Sequence, residues 1–346
     1  MKVQGSIVHA RAEEIEELLG HIRSEPTTTF VHIEAQGVDE KTTLLRLAWM
    51  DESVKGLLAS LTLEGFYPYV KRGNVTSFVH ERRLSQLWKP LIDGNYSQDE
   101  NGIVYHFEKA ASKPSRPRLL IIFSSMPPYI FTSSLNRYMT FNYQSMAKFS
   151  NKETSVLRIA DFGGVLGNFY MDTKVHPKNS SNIMALIRRK MVELGVDSRD
   201  VVLLGSSKGG TGSVHYGLKM GLPYVAVDPV LSEDHYWEKF NDSHFTRDTV
   251  FQQTKDEFFD DLCTEERFQA FGEGQQVIIY SSRSPQLPNI SRYLLERNPN
   301  GLFVDVLNEQ INDHPDVAPK SLHVTTTLVS SMLAGIDIRN GQKAIL

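Results

Sequence analysis

The chain has 346 residues, 40% hydrophobic and 23% charged, with a formal net charge of −4 and one cysteine. This is the composition of an ordinary globular chain able to bury a large core, and its mild acidity leaves no electrostatic footprint for nucleic acid. Cys263 alone excludes an internal disulfide and suits a reducing compartment, the first ten residues lack the apolar core of a secretion signal, and no apolar run approaches the ~20 residues of a membrane span, so the expectation is a cytoplasmic protein that does not span a membrane.

Residues 1–100 read as a small α/β module. Ile15, Leu18, Leu19 and Ile22 share one face of a helix over 12–23, with Glu13, Glu14, Glu16 and Glu17 on the solvated side. Residues 29–33 alternate like a strand, 53–63 suit a helix, and 66–70 and 76–80 suit two strands around an Arg72-Gly73-Asn74 turn. A strand over 103–107 follows a turn, and Lys113-Pro-Ser-Arg-Pro117 is a stiff connector, since proline cannot join a regular ladder.

Residues 101–346 show a different pattern. Continuous apolar strands are expected at 119–123, 156–160, 201–204, 224–227, 277–280 and 302–306. Helix-forming segments lie at 181–194, 212–220, 290–297 and 321–333. Such strands alternating with helices predict a mostly parallel sheet covered on both faces, with functional groups gathered at the carboxyl ends of its strands.

The third of these strands runs into Gly205-Ser-Ser-Lys-Gly209, a Gly-x-Ser-x-Gly pentad. A strand-to-helix turn of this kind exposes the central hydroxyl, here Ser207, and aims the next amide, that of Lys208, at a developing oxyanion. A plain glycine-rich turn is the competing reading. A phosphate loop does not fit, because Lys208 precedes Gly209-Gly-Thr211 where that motif needs Gly-Lys-Ser/Thr.

The remaining strand ends carry Ser124-Ser-Met-Pro-Pro128, Asp161-Phe-Gly-Gly164, Asp228-Pro229, Ser281-Ser-Arg-Ser284 and the segment from Asn308 to His314. With these in place the chain resembles the α/β-hydrolase fold, whose serine, acid and histidine follow in that chain order. The resemblance implies Ser207 as nucleophile and His314, in a loop after the last strand, as general base. His323 falls on the closing helix, and His215 sits on the helix leaving the elbow, where a structural role is expected. The acid is the open point. Ser281-Ser-Arg-Ser284 offers no carboxylate, so Asp228 is the leading candidate, with Glu309, Asp313 or a bare Ser–His pair as alternatives. The oxyanion site needs a second amide from the loop after 119–123. Ser125 or Met126 can supply it, and the expectation falls on Met126, since Pro127 and Pro128 have no N–H. Asp161-Phe-Gly-Gly164 is not accompanied by the other parts of a kinase, and is read as a glycine-rich loop bordering the site. Ser125, Gly163, Gly164 and Arg283 are the substrate-binding candidates.

No histidine and carboxylate spacing suggests zinc, because His235 and Glu238 lack the required partner pattern. No cofactor or metal is expected. Tyr236, Trp237, Phe240 and Phe245 form either a cap wall or ordinary core. Lys208 and Arg283 near the strand ends point to an anionic substrate, such as a phosphate- or carboxylate-bearing carbohydrate, unless both are solvated.

A narrower set of residues is similar to bacterial capsular-polysaccharide biosynthesis proteins of the XcbB/CpsF type. It comprises the Ser-Ser-Lys-Gly-Gly elbow, Gly217-Leu-Lys-x-Gly-Leu-Pro223, Pro285-Gln-Leu-Pro288 and Asn312-Asp-His-Pro315. The resemblance implies a carbohydrate or glycan-precursor substrate and capsule-biosynthesis enzymes as partners. The expectation is serine-dependent esterase or acyltransferase chemistry; the alternative is a non-catalytic assembly factor on the same scaffold, favoured by the missing carboxylate after Tyr280.

Overall fold

Two sheets organise the chain. A computed structural model describes residues 1–35, 42–111, 115–149, 153–247, 250–271, 275–336, 338–339 and 341–345, the side chain of residue 147 excepted. Lys113 and Pro114 of the stiff connector lie outside the described residues.

The first sheet contains β1 (Lys2–Gln4), β2 (Ile7–Arg11), β3 (Phe30–Glu34), β4 (Phe66–Arg72) and β5 (Val75–His80), in the order β1-β2-β3-β5-β4. Helix α1 (Ile15–Ser24) connects the parallel pair β2 and β3. Helix α2 (Glu52–Leu63) starts at Asp51, whose carboxylate accepts the amides of Ser53 and Val54. Leu18 and Ile22 of α1, Leu57, Leu58 and Leu61 of α2, and Val8, Val31 and Phe78 of the strands form one buried cluster. Strand β1 has no apolar alternation that could have announced it; all three of its residues are exposed.

The second sheet has nine strands. These are β6 (Ser97–Gln98), β7 (Val104–Glu108), β8 (Arg118–Phe123), β9 (Thr154–Ile159), β10 (Val201–Ser206), β11 (Tyr224–Val227), β12 (Gln276–Tyr280), β13 (Leu302–Val306) and β14 (Gly341–Ile345). Their order is β14-β13-β12-β11-β10-β8-β9-β7-β6. Every neighbouring pair from β9 to β14 is parallel, whereas β7 runs antiparallel to β9 and β6 to β7. Strand β6, just before residue 100, already belongs to this sheet.

Alternation within the fully buried strands supplies two cores rather than a wet face and a dry one. Leu119, Ile121, Phe123, Val201 and Leu203 face a cluster with Ile183, Leu186 and Ile187 of helix α3 (Asn179–Leu194) and Val214 and Tyr216 of helix α4 (Lys208–Met220). Leu120, Ile122, Val202 and Leu204 face the opposite cluster, completed by Val324, Val329 and Leu333. A mostly parallel sheet between helices, with β8 brought beside β10 by the exchange of β8 and β9, is the α/β-hydrolase-like architecture. No described helix is long and apolar enough to cross a membrane.

Two helix expectations differ from the structure. Helix α4 begins at Lys208, not Gly212. Gly209, Gly210 and Gly212 lower helix propensity by up to ~1 kcal/mol each relative to alanine, and packing overrides that penalty. Residues 287–295 form one short α-helical turn, Leu287–Ile290, followed by a π-helical turn, Ser291–Leu295. Strand β14 is polar and largely exposed and pairs at the edge of the sheet, so no apolar run marked it.

Candidate active site

Strand β10 ends in a backbone turn that leaves no room for side chains around Ser207. Ser207 itself has φ 54° and ψ −122°, a region where a non-glycine residue is strained. A Cβ at Gly205 would lie 2.0 Å from the Gly209 carbonyl oxygen, and one at Gly209 would lie 2.4 Å from that of Phe123. Both glycines are therefore required by close backbone approach. The turn is fastened on either side: Ser207 N–H donates to Val227 O at 2.9 Å, and Ser207 O accepts from Thr211 N–H at 3.1 Å.

Strand β11, next to β10, is followed directly by Asp228, which is 1% exposed and adopts φ 44°. Its amide donates to Ile279 O of β12 at 2.7 Å, fixing the carboxylate over the strand ends. His314 Nδ1 lies 2.6 Å from Asp228 Oδ2, and His314 Nε2 lies 2.7 Å from Ser207 Oγ. A carboxylate at Nδ1 requires the N–H on that nitrogen, which leaves Nε2 free to accept the serine proton. Ser284, in the turn after β12, donates its hydroxyl to the same Asp228 oxygen at 2.6 Å.

His314 does not lie in a loop. It is the first residue of a short helix, α7 (His314–Lys320), which precedes α8 (Leu322–Ala334). Asp313 caps α7, accepting the His314 amide at 2.7 Å, while Asp316 accepts those of Asn312 and Asp313 at 2.9 and 3.2 Å. The carboxylate of Asp313, an alternative acid in the sequence, is thus engaged in holding the backbone of the histidine. Glu309 is exposed, as is His323 on α8. His215 is buried in α4, stacked on Tyr216 with centroids 4.3 Å apart, and burial holds its pKa well below the usual histidine value.

Lys208 departs from its sequence reading in one respect. Its amide is the first of α4 and has no partner within the helix ladder. Its side chain, however, is fully buried, with Nζ 3.0 Å from Asp161 Oδ2. The ammonium is neutralised away from the surface and adds no charge to a substrate pocket. Arg283 is exposed in the turn after β12. The carbonyl carbon of Ser124 would lie 3.2 Å from a Cβ on Gly209, so the Ser124–Ser125 peptide borders the elbow. Ser125 and Met126 are half-buried, and Met126 packs against the cores of both sheets.

Gly163 and Gly164 are buried and serve the folding of their own loop. A Cβ on Gly164 would lie 2.1 Å from Gly167 O, and one on Gly163 2.8 Å from His176. They have a packing role here rather than an open face toward a substrate.

Helix α5 (Asp234–Phe240) follows β11 in the chain. It is anchored at Glu233, whose Oε1 lies 2.8 Å from Nζ of Lys255, the first residue of helix α6 (Lys255–Leu262), both side chains fully buried. The four aromatics of this region divide. Phe245 joins the buried cluster of the first sheet, whereas Trp237 and Phe240 are 37% and 39% exposed. Tyr236 is partly buried, and burial together with the Asp228 charge pushes its phenol pKa up. Among the described residues no group of three or more histidine, cysteine or acidic side chains could hold a metal. A cleft of about 450 Å³ lies elsewhere, lined by residues such as Arg82, Phe162, His176 and Lys178, and includes none of Ser207, Asp228 and His314.

Ser284 and Asp161 carry contacts that sequence reasoning did not assign. The Ser281-Ser-Arg-Ser284 turn holds no carboxylate, and supplies instead a hydroxyl that bonds the acid of the neighbouring strand. Asp161 had a signal in Asp161-Phe-Gly-Gly164, but its distant partner Lys208 had none.

No protein-family model and no curated protein matches the chain. Among solved structures, it is similar to the capsule O-acetyltransferase of Neisseria meningitidis serogroup A, at 15% identity and a TM-score of 0.46 over 68% of this chain and 93% of that one. It is similar to FphF, a fluorophosphonate-binding serine hydrolase of Staphylococcus aureus, at 14% identity and a TM-score of 0.47 over 68% and 96% of the two chains. A similarity to the glycosylation-associated Gap123 complex of Streptococcus agalactiae has 13% identity and a TM-score of 0.47, covering 78% of this chain and 51% of that one.

Proposed function

We propose that the protein is a serine-dependent acyl-ester enzyme, an esterase or acyltransferase, with Ser207 as nucleophile, His314 as general base and Asp228 as the acid that orients it. One observation carries the reading: hydrogen-bond distances of 2.7 and 2.6 Å run from the Ser207 hydroxyl through both nitrogens of His314 to buried Asp228. In attack, Ser207 Oγ bonds to the acyl carbon as its proton passes to His314 Nε2. The carbonyl π pair moves to oxygen, which the Lys208 amide and a Ser125 or Met126 amide stabilise. Collapse expels the alcohol or thiol, which takes the proton from His314. Water or an acceptor hydroxyl then repeats the sequence on the acyl-serine, giving hydrolysis or transfer.

The substrate in this reading is a carbohydrate or capsular polysaccharide precursor, handled in the cytoplasm alongside other capsule-biosynthesis enzymes. Support for it is the motif resemblance at Gly217–Pro223, Pro285–Pro288 and Asn312–Pro315, together with a lone, buried Cys263. Arg283, exposed beside the Asp228 partner Ser284, remains the candidate contact for a substrate anion. The assembly-factor alternative drew on the missing acid after Tyr280; Asp228, from the adjacent strand, occupies that place in the hydrogen-bonded chain.

The test is covalent labelling by a fluorophosphonate. The native chain should label and release acetate from an O-acetylated oligosaccharide, and Ser207→Ala should do neither while keeping the native circular dichroism. A native chain inert to the probe would sink the reading in favour of a non-catalytic scaffold, and an alanine variant that still labels would remove Ser207 as the nucleophile.

A further inference from the structure

The two amides available to an oxyanion belong to different parts of the sheet, one at the head of α4 and one in the loop leaving β8. The Ser207–His314–Asp228 chain does not fix the distance between them. A second set of buried contacts spans that gap. Lys208 Nζ lies 3.0 Å from Asp161 Oδ2. The Asp161 carboxylate also accepts three successive amides, Asn168 at 3.2 Å and Tyr170 at 2.9 Å on Oδ1, and Phe169 at 3.1 Å on Oδ2. The Tyr170 phenol then accepts the amide of Ser124 at 2.5 Å and donates to Ile159 O at 2.9 Å. Ser124 is the first residue beyond β8, and its hydroxyl exchanges hydrogen bonds with Thr140 N–H and O at 2.9 and 3.0 Å. The path thus runs from the residue after the nucleophile to the residue before Ser125.

The loop bearing this path is held against its local preference. Phe169 and Tyr170 have φ of 51° and 61°, a region that bulky residues occupy only when their surroundings impose it. Gly167 is required as well, since a Cβ there would lie 2.1 Å from Asp161 Oδ2 and 2.8 Å from Lys208 Nζ. Stability alone is a poor explanation for such a pair, because well-packed apolar residues often replace a buried ion pair without loss. An apolar pair could not hold three amides and a phenol in register.

We infer that Asp161 and Tyr170 are positioning residues that set the separation of the two oxyanion-binding amides; the inference rests on the acyl-chemistry reading of Ser207. Neither side chain touches the reacting atoms. They act through Lys208 and Ser124, and the effect falls on the transition state, where donor placement counts most.

The test compares native protein with Tyr170→Phe, Asp161→Asn, Lys208→Met and Lys208→Arg in fluorophosphonate inactivation and p-nitrophenyl acetate turnover. Tyr170→Phe keeps the ring beside Phe123, 4.8 Å away between centroids, and removes only the hydroxyl. Its kcat and inactivation rate should fall ~10–100-fold, short of the ~10²–10³ lost with a whole oxyanion donor. KM should stay within about twofold, the signature of an interaction made in the transition state. The pH profile should keep its midpoint, because the Ser207–His314 pair is untouched. Asp161→Asn should lose at least as much, and Lys208→Arg should recover activity relative to Lys208→Met. Equal rates in native and Tyr170→Phe protein overturn the inference alone, as does a loss in which KM or the pH midpoint moves with kcat. A native chain inert to the probe overturns it together with the reading of Ser207. If Asp161→Asn fails to fold, Tyr170→Phe and the Lys208 pair decide.

Discussion

At the scale of single residues, the buried histidines divide between two kinds of work. Ser284 and His314 share one Asp228 oxygen, and this gathers three parts of the sheet around one carboxylate. At His215 and His244, burial, first of all, lowers the pKa, with Lys219 adding to the effect at His215 and Asp242 opposing part of it at His244. A depressed histidine pKa means that the unfolded chain binds the proton more readily. Stability is then fully present above the unfolded value near 6.5 and declines as pH falls below it. The thermal midpoint should drop between about pH 7 and pH 5, and His215→Leu should flatten part of that drop; an identical slope in the variant would remove His215 as a contributor.

Among the elements, short α7 has consequences beyond its length, since its first residue is the proposed base. Asp313→Ala removes the cap and should cost ~1 kcal/mol in a urea melt. Turnover should fall by about tenfold or more, because a base shifted by even a fraction of an ångström loses its line to the nucleophile. Unchanged turnover with the expected loss of stability would show that His314 is held by Asp228 alone. The cap was partly legible, as Asn312-Asp-His-Pro315 places an aspartate before a proline-led turn, although so short a helix has no apolar period to set it apart from a loop. Strands β8 to β13 were legible because parallel strands buried on both faces read as unbroken apolar runs. Strands β1, β6 and β14 were not, being short, polar edge elements stabilised by pairing. Asp228 could be named only as a candidate, since its hydrogen bond to His314 joins residues 86 apart. The Lys208–Asp161 pair was invisible for the same reason: a lysine after the nucleophile gives no sign of which way its side chain turns.

Across the whole molecule the two sheets share interior. Phe131, Val165, Leu166 and Phe245, all from beyond residue 100, complete the buried cluster of the first sheet. Arg137, 1% exposed, ties the sheets together by donating to Pro68 O at 2.7 Å and to Val165 O at 3.0 Å. It also donates to Ser133 O and Ser134 O at 3.2 and 3.0 Å. Arg137→Met would take this donor from all four carbonyls, of which Ser134 O keeps the backbone amide of residue 137 and Val165 O the Tyr138 hydroxyl, and should cost ~3 kcal/mol in a denaturant melt; a change below ~0.5 kcal/mol, the range of an ordinary surface substitution, would show that this seam carries no weight. The distance in sequence between Ser207 and His314, 107 residues, has a consequence in time. A growing chain should own its elbow before the base arrives, because α7 follows that elbow in the chain and contacts between distant residues close late. Helical and sheet signals should therefore recover first and fluorophosphonate reactivity last, which makes the labelled serine a clock for completion of the chain rather than for the birth of its nucleophile.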